Sequence, residues 1–352
     1  MRVVFLVGNG FDISLNLKTD AGTLIKGFCN KYLPKQGKDA ANPNEELALA
    51  INEQGISAWS DFEKKFGEYS ASVKGGKASE NYVEAHTGFC EYLYGVLEKR
   101  EKVFEGSDVL IENAGPCIKS MMDLADILPT TQSDVVRALI SKHGSEHVTF
   151  EILSFNYTKS FDALFSNVKQ SSSQIGLVDG RSRAYLLGDV YHPHGSLGDY
   201  IICGVNDPSQ IAREDFRDNV DVVEAVCKEE MARSIGRNDD ASAMSILKQA
   251  SIICVYGMSF GLCDQRWWAA IVELMQNNPE VVLVIFSYAK GRLSSPIPYV
   301  RFAEMKKNIG QFLDAANVQD AELRASLAER IFVVPSELVF PITKAPDFTF
   351  DE

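Results

Sequence analysis

The sequence predicts an α/β protein in which a mostly parallel sheet is flanked by helices and a large helical insertion follows the first strand. Three observations carry that reading. The chain opens with an uninterrupted apolar run, Val3 to Val7, which Gly8-Asn9-Gly10 cuts off. Helical periodicity then dominates from about Leu17 to Gly144. Beyond that point short apolar segments alternate with helices, as a parallel sheet requires.

Five consecutive apolar residues are too few for a helix and too uniform for a half-exposed strand, so Arg2 to Val7 reads as a central strand buried on both faces. The two glycines let the backbone turn sharply and leave no Cβ between main-chain N–H groups and whatever sits above them, usually a phosphate. Asp12 or Ser14 can cap a helix beginning there, and strand, Gly-x-Gly and helix together open a dinucleotide-binding βαβ unit. The fingerprint is incomplete, because Ile13 stands where a small residue belongs and no ribose-binding acid follows an early second strand. A plain tight turn is the other reading.

Within the helical region, Trp59, Phe62, Phe66 and Tyr69 recur at helical spacing and make one apolar face, with Glu63 at its edge as a solvated acid. Tyr82, His86, Phe89, Leu93 and Val96 repeat the pattern, which makes His86 a histidine at the edge of a core. Ser133 to His143 reads as the last helix, ended by Gly144. The strands expected after it are Val148–Phe155, Tyr185–Leu187 leading on to Tyr191, Tyr200–Val205, Ser251–Tyr256, Val281–Phe286 and Arg330–Val334. A charged, mostly helical stretch from Pro208 to Ala250 is broken by a loop at Gly236-Arg237-Asn238-Asp239-Asp240. The chain is thus one α/β domain, 1–352, carrying a helical insertion at 20–145 and a smaller one at 208–250.

At 352 residues, 45% of them hydrophobic, the chain is long enough for a substantial core. A net charge of −13 disfavours broad contact with nucleic acid or an anionic membrane surface and points to small ligands or proteins as partners. The seven cysteines are scattered and form no Cys-x-x-Cys pair, the pattern of reduced thiols in a cytoplasmic protein. Cys203 and Cys254, inside apolar runs, read as small buried hydrophobes. No signal peptide or bilayer-spanning stretch is expected.

Ligands of open α/β sheets bind at the carboxyl ends of the strands. Three polar segments fall there. Asn156-Tyr157-Thr158 follows the second strand, and Asn156 suits either a helix cap or a site. His192-Pro193-His194-Gly195-Ser196 holds two of the five histidines; with no Cys or acid adjacent, a polarising imidazole is favoured over a metal pair, and no metal is expected. Gly257-Met258-Ser259-Phe260-Gly261 precedes Asp264, which caps the next helix or bonds ligand hydroxyls. The Gly-x-Ser-x-Gly spelling matches a nucleophile elbow, but no histidine follows His194 to complete a hydrolase triad.

In this order, Gly8-Asn9-Gly10-Phe11-Asp12 with Leu17-Lys18-Thr19, Ser154-Phe155-Asn156-Tyr157-Thr158, His194-Gly195-Ser196 and Gly257-x-Ser259-x-Gly261-x-x-Asp264 resemble the phage abortive-infection AbiH family. Trp59-x-Asp61-Phe62-Glu63 and Ile202-Cys203-Gly204-Val205-Asn206-Asp207 extend the resemblance over nearly the whole chain. Met258 departs from a common histidine and Asn16 from a glycine. The family in turn is similar to a distant branch of the sirtuin superfamily, with its Rossmann-like NAD-binding sheet. That likeness implies Asn156 and His194 as catalytic residues beside the nicotinamide ribose. The nucleotide contacts it implies are Gly8, Asn9, Gly10, Phe11, Asp12, Thr19, Tyr157, Gly195, Gly257, Ser259 and Asp264. Sirtuin deacylases carry a four-cysteine zinc module that this chain lacks, so protein deacylation is not expected.

The resemblance therefore implies a reaction on NAD itself. Nicotinamide leaves as a neutral base without a general acid, so the enzyme has to hold the ribose, stabilise an oxocarbenium-like sugar and place a water. Asn156 could orient the water or a hydroxyl and His194 accept a proton, while amides of the glycine loop would bind the pyrophosphate. The expected function is antiphage defence by hydrolysis of NAD to ADP-ribose and nicotinamide, restrained until triggered. The alternative is a non-enzymatic sensor of NAD or an ADP-ribose-type nucleotide. A phage-derived trigger and a homo-oligomer are left open, and a nuclease is disfavoured by the net charge and the lack of an acidic metal cluster.

Overall fold

Seven strands make one sheet: β1 (Arg2–Val7), β2 (Val148–Ser154), β3 (Gln174–Leu177), β4 (Ala184–Tyr191), β5 (Ile252–Tyr256), β6 (Val282–Ser287) and β7 (Ile331–Pro335). The computed structural model describes residues 1–35, 38–54, 59–104, 108–144, 146–171, 173–180 and 183–342. Spatial order is β3-β4-β2-β1-β5-β6-β7, and every neighbouring pair is parallel except β3 with β4. β1 lies between β2 and β5, with Phe5 opposite Ile152 on one side and Cys254 on the other. Its alternate side chains explain the uniform apolar run. Val3, Phe5 and Val7 enter the core on one face, and Val4 and Leu6 enter the core on the other.

Helices Val109–Met122, Thr130–Lys142 and Ser160–Ser171 cover the first face. Asp239–Leu247, Gln265–Asn277, Pro298–Ala315 and Ala321–Ala328 cover the second, where Trp267 and Trp268 are buried. A third core is separate from the sheet. It joins Ala21–Tyr32, Pro43–Gln54, Trp59–Tyr69 and Ala78–Glu101 to apolar residues of 197–227, among them Cys203, Val205, Phe216 and Val226. The segment predicted as one insertion, 20–145, thus divides between this helical module and the layer on the sheet. The 208–250 segment divides likewise, with Val222 and Val226 in the module and Ala243 and Leu247 under the sheet. Phe62 and Phe66 do face the module core, and the Trp59 side chain lies outside the described residues.

Two strand expectations change. Tyr200–Val205 is not a sheet strand: its pairing is limited to isolated bridges, Gly195 with Ile201 and Val205 with Cys227, because its apolar side chains serve the module core. β3 went unpredicted because it is a four-residue edge strand, too short for the alternation of Ile175 and Leu177 to stand out.

The glycine loop is held by backbone contact with the turn after β5. Gly8 N–H donates to Tyr256 O and Gly10 N–H to Gly257 O, each at 2.9 Å. A Cβ on Gly10 would stand 2.4 Å from Gly257 Cα, and Gly257 itself has φ +66°. Glycine is required here by the approach of two main chains. Gly10→Ala should therefore destabilise the fold by roughly 1–3 kcal/mol through overpacking, whereas Gly76→Ala, where a Cβ meets nothing within 4 Å, should leave it nearly unchanged. Denaturant midpoints of the two variants check this.

Candidate functional site

The loops leaving β1, β2, β4 and β5 meet at one edge of the sheet, beneath the helical module. The predicted residues there fall into two groups.

The first surrounds Asp12. It is neither a helix cap nor exposed to a ligand: the short helix Gly10–Ser14 begins after Asn9, Asp12 is 1% exposed, and Ser14 Oγ donates to Phe11 O. The Asp12 carboxylate accepts hydrogen bonds from Thr158 Oγ1 at 2.7 Å and Ser160 Oγ at 2.6 Å, tying the first loop to the one after β2. Burial pushes its pKa up to about 6 against those hydroxyls. Asn9 and Thr19 are engaged with each other, through Thr19 Oγ1 to Asn9 Oδ1 at 2.6 Å and Asn9 Nδ2 to Thr19 O at 2.8 Å. Phe11 is buried against Phe161 in the sheet core, with centroids 4.5 Å apart. With the Gly8 and Gly10 amides also donating within the protein, the expectation that these two N–H groups cradle a pyrophosphate is not met.

Asn156 sits beside this group with a different status. It is 5% exposed, and neither its Oδ1 nor its Nδ2 makes a hydrogen bond of normal geometry among the described residues, although its amide is near enough to the Asp12 carboxylate to help lower that group's pKa. An unpaired buried amide costs about 1–3 kcal/mol, which a bound ligand can recover. The main chain around it is firmly held: Tyr157 OH donates to Ile202 O at 2.9 Å, and His192 Nδ1 lies 3.3 Å from Asn156 O. His192 Nε2 is 2.9 Å from Asp162, so His192 and His194 have separate partners. Among the described residues no group of three or more His, Cys, Asp or Glu could hold a metal ion.

The second group adjoins a cavity of about 270 Å³, with His194 on its wall beside Ile202, Asp207, Lys228, Cys263, Arg266 and Trp267. Gly195, at φ +74°, makes the turn that follows His194, because a Cβ there would strike Tyr200 O at 2.2 Å. The imidazole of His194 packs edge-on against Phe155, which in turn meets Trp267. His194 Nε2 stands 3.8 Å from Asp264 Oδ1, an atom that is buried without a hydrogen-bond partner. Asp264 precedes helix Gln265–Asn277 but makes no side-chain cap bond, and Ser259 is exposed on the turn above it. Neither Asn156 nor the glycine loop is on the wall of this cavity.

Lys228 and Glu63 govern the charge. Lys228 Nζ lies 2.8 Å from Glu63 Oε1 and 3.1 Å from Oε2, with both side chains about nine-tenths buried. Glu63 is therefore an internal counter-ion, contrary to the solvated acid expected. Burial works against a charged Lys228, but Glu63 and Asp264 outweigh it and hold its pKa above the ordinary value. Burial lowers the His194 pKa well below the usual range, and the Lys228 and Arg266 cations add to that, so His194 is neutral near pH 7. Burial pushes Asp264 up to about 6, against the pull of Lys228. Lys228 had no signature, lying in the charged run Cys227-Lys228-Glu229-Glu230. Glu63 had no more than its place at the edge of an aromatic helix face, where a solvated acid is the ordinary reading.

The chain matches the family model of bacteriophage abortive infection AbiH over residues 4–286. An α/β sheet with a built polar edge is the class that the fold and site define; by that match the protein belongs to the AbiH family, with a role in phage abortive infection. No curated protein matches the chain in sequence. Among the described residues no helix is long and apolar enough to cross a membrane.

Removing one partner of a buried pair strands the other. Lys228→Met should destabilise the protein by about 3–5 kcal/mol, and Glu63→Met combined with it should recover much of that loss; chemical denaturation of single and double variants reads both. Asp12 supplies a pH signature. Its folded pKa of about 6 exceeds its ordinary 3.8, so the folded state binds the proton more tightly, and the advantage is lost as pH rises through about 6. Relative to Asp12→Asn, the wild type should lose roughly 3 kcal/mol of stability between about pH 4 and 7, measurable as the pH dependence of the difference in unfolding free energy.

Proposed function

We propose that this AbiH protein is a sirtuin-like NAD glycohydrolase, which cleaves NAD to ADP-ribose and nicotinamide once phage infection triggers it. The observation that carries the proposal is a neutral imidazole, His194, on a cavity wall 3.8 Å from the unpartnered Asp264 Oδ1. A hydroxyl or water can bridge groups at that separation.

Three further observations support it. With the antiparallel edge β3 set aside, the six parallel strands follow the order 3-2-1-4-5-6 of dinucleotide-binding sheets, and the polar groups Asn156, His194 and Asp264 stand on the loops leaving β2, β4 and β5, on either side of the point where the order reverses. Asn156 offers a buried amide with both atoms unpaired at the same edge. The cavity, about 270 Å³, is close to the lower end of ligand pockets, ~300–1,000 Å³. It suits the nicotinamide-ribose end of NAD rather than the whole dinucleotide.

In the proposed reaction the ribose C1′–N bond breaks with its electron pair passing to the pyridinium nitrogen, which leaves as neutral nicotinamide. Water adds at C1′ and loses a proton to His194. The Asp264 carboxylate, ionised above about pH 6, stabilises the imidazolium that forms and the positive charge on the sugar. Asn156, which is off the wall of this cavity, meets the substrate where it extends past His194 along the sheet edge. Ser259, Tyr157 and Gly257 stand on the turns around these groups, while Gly8 and Gly10 shape the edge through contact with Gly257.

The test is NAD content of phage-infected cells carrying wild type, Asn156→Ala or His194→Ala, together with nicotinamide release by the protein recovered from them. Wild type should deplete NAD, and each variant should lose ~10²–10⁴-fold of the rate. Unchanged NAD with protection intact contradicts the proposal; NAD binding without turnover would point to the sensor instead.

A further inference from the structure

The surface that the chain builds after β6 is unlike the rest of the molecule, and the proposed hydrolysis does not use it. Among the described residues the largely exposed aromatic side chains are Tyr288 and Tyr299, each at 76%, and Phe302 at 59%. Every other described Phe, Tyr or Trp is at least partly buried. The same stretch concentrates positive charge. Between positions 288 and 307 stand Lys290, Arg292, Arg301, Lys306 and Lys307 against a single acid, Glu304, in a chain of net charge −13. All five cations are exposed. Glu304 is buried and already answered by Arg292 at 2.8 Å and Lys307 at 3.4 Å.

The fold holds these groups outward. Helix Pro298–Ala315 buries Glu304, Asn308 and Phe312, and the helical period places Tyr299, Phe302 and Lys306 on the opposite side, three and four positions apart, as neighbours on one solvent face. The loop before the helix is fastened beside them, because Arg292 reaches Glu304 and Arg301 donates to Ser294 O at 3.2 Å and to Ser295 O. Among the described residues none of the three rings stacks on another ring or under a cation. Their faces are free. On the buried side, Phe312 meets Phe260 of the turn after β5 with centroids 5.7 Å apart, so this helix packs against the sheet edge that carries the candidate site.

We infer that the outer face of this helix and the loop before it dock single-stranded nucleic acid, with the rings stacking on bases and the cations meeting phosphates. The net charge of −13 opposes contact over the whole surface, and the complementarity is local to this patch. A single strand presents both chemistries at once, unpaired base faces and a phosphate at every nucleotide. A duplex hides the faces of its bases, which leaves the three rings without a partner. A bilayer surface needs a wider apolar face than Ile297 and Phe302 supply. Docking here does not depend on NAD chemistry.

The experiment follows the fluorescence anisotropy of labelled oligothymidylate and oligouridylate, each of about 15 nucleotides, as purified full-length protein is added over a range of salt concentrations. Saturable binding that weakens as salt rises is expected, and a preference for one oligonucleotide tells DNA from RNA. Tyr299→Ala and Phe302→Ala should each weaken binding roughly 5–150-fold. Lys306→Glu should weaken it and lower the log–log salt slope by about one. Lys77→Glu, at a cation of the helical module that is 79% exposed, should change nothing. The inference is overturned by an absence of binding at low salt, by equal affinity for a duplex or for inorganic polyphosphate, by an equal loss in Lys77→Glu, or by stronger attachment to phosphatidylglycerol vesicles than to the single strand. The substitutions are all at exposed side chains, and the comparison of single strand, duplex, polyphosphate and vesicle is made on wild type, so a poorly folded variant does not obscure it.

Discussion

The buried ion pair of Lys228 and Glu63 sets the conditions under which the rest of this protein works. Two charges taken out of water cost several kcal/mol each after relaxation, and their attraction repays that only in good geometry. Here the geometry is close, with 2.8 Å between Nζ and Oε1, and the pair spans two distant parts of the chain. Glu63 belongs to the helical module, while Lys228 opens a helix of the later charged segment and faces the cavity. The charge so fixed helps keep His194 neutral and pulls Asp264 toward its ionised form. Docking of the module and the electrostatics of the cavity are thus one interaction seen from two sides.

Against that field, the sheet provides position. β1 is central, its glycine loop is pressed onto the turn after β5, and Asp12 ties both to Thr158 and Ser160 after β2. Three loops from different parts of the sequence are locked by main-chain bonds and one buried carboxylate. On that rigid base stand the groups whose hydrogen-bonding capacity is unspent, Asn156 and Asp264 Oδ1. Such orphaned polar atoms are uncommon in folded proteins and concentrate where something else binds.

Much of this was legible in the sequence because its signals are local. Short apolar runs mark buried strands, and six of the seven strands were foreseen on that pattern. Asn156, His194 and Asp264 were legible as polar residues at strand ends. What escaped depends on long-range pairing. Tyr200–Val205 has the apolar content of a strand but spends it on the module core, and Glu63 looks solvated until Lys228, 165 positions away, closes over it. The glycine loop misled most: Gly8-x-Gly10 spells a phosphate cradle, yet its two glycine amides face Tyr256 and Gly257, and no local pattern distinguishes a loop that grips a ligand from one that grips another loop.

Family membership sets the biological frame, phage abortive infection, and the chemistry proposed within it rests on where a ribose would sit. The most direct test is a crystal structure of the protein with ADP-ribose. The ribose is predicted to lie in the cavity beside His194 and Asp264, with the rest of the nucleotide extending along the sheet edge to the Asn156 amide. Nucleotide bound elsewhere, leaving Asn156 and Asp264 Oδ1 unpaired, would contradict the proposed enzyme.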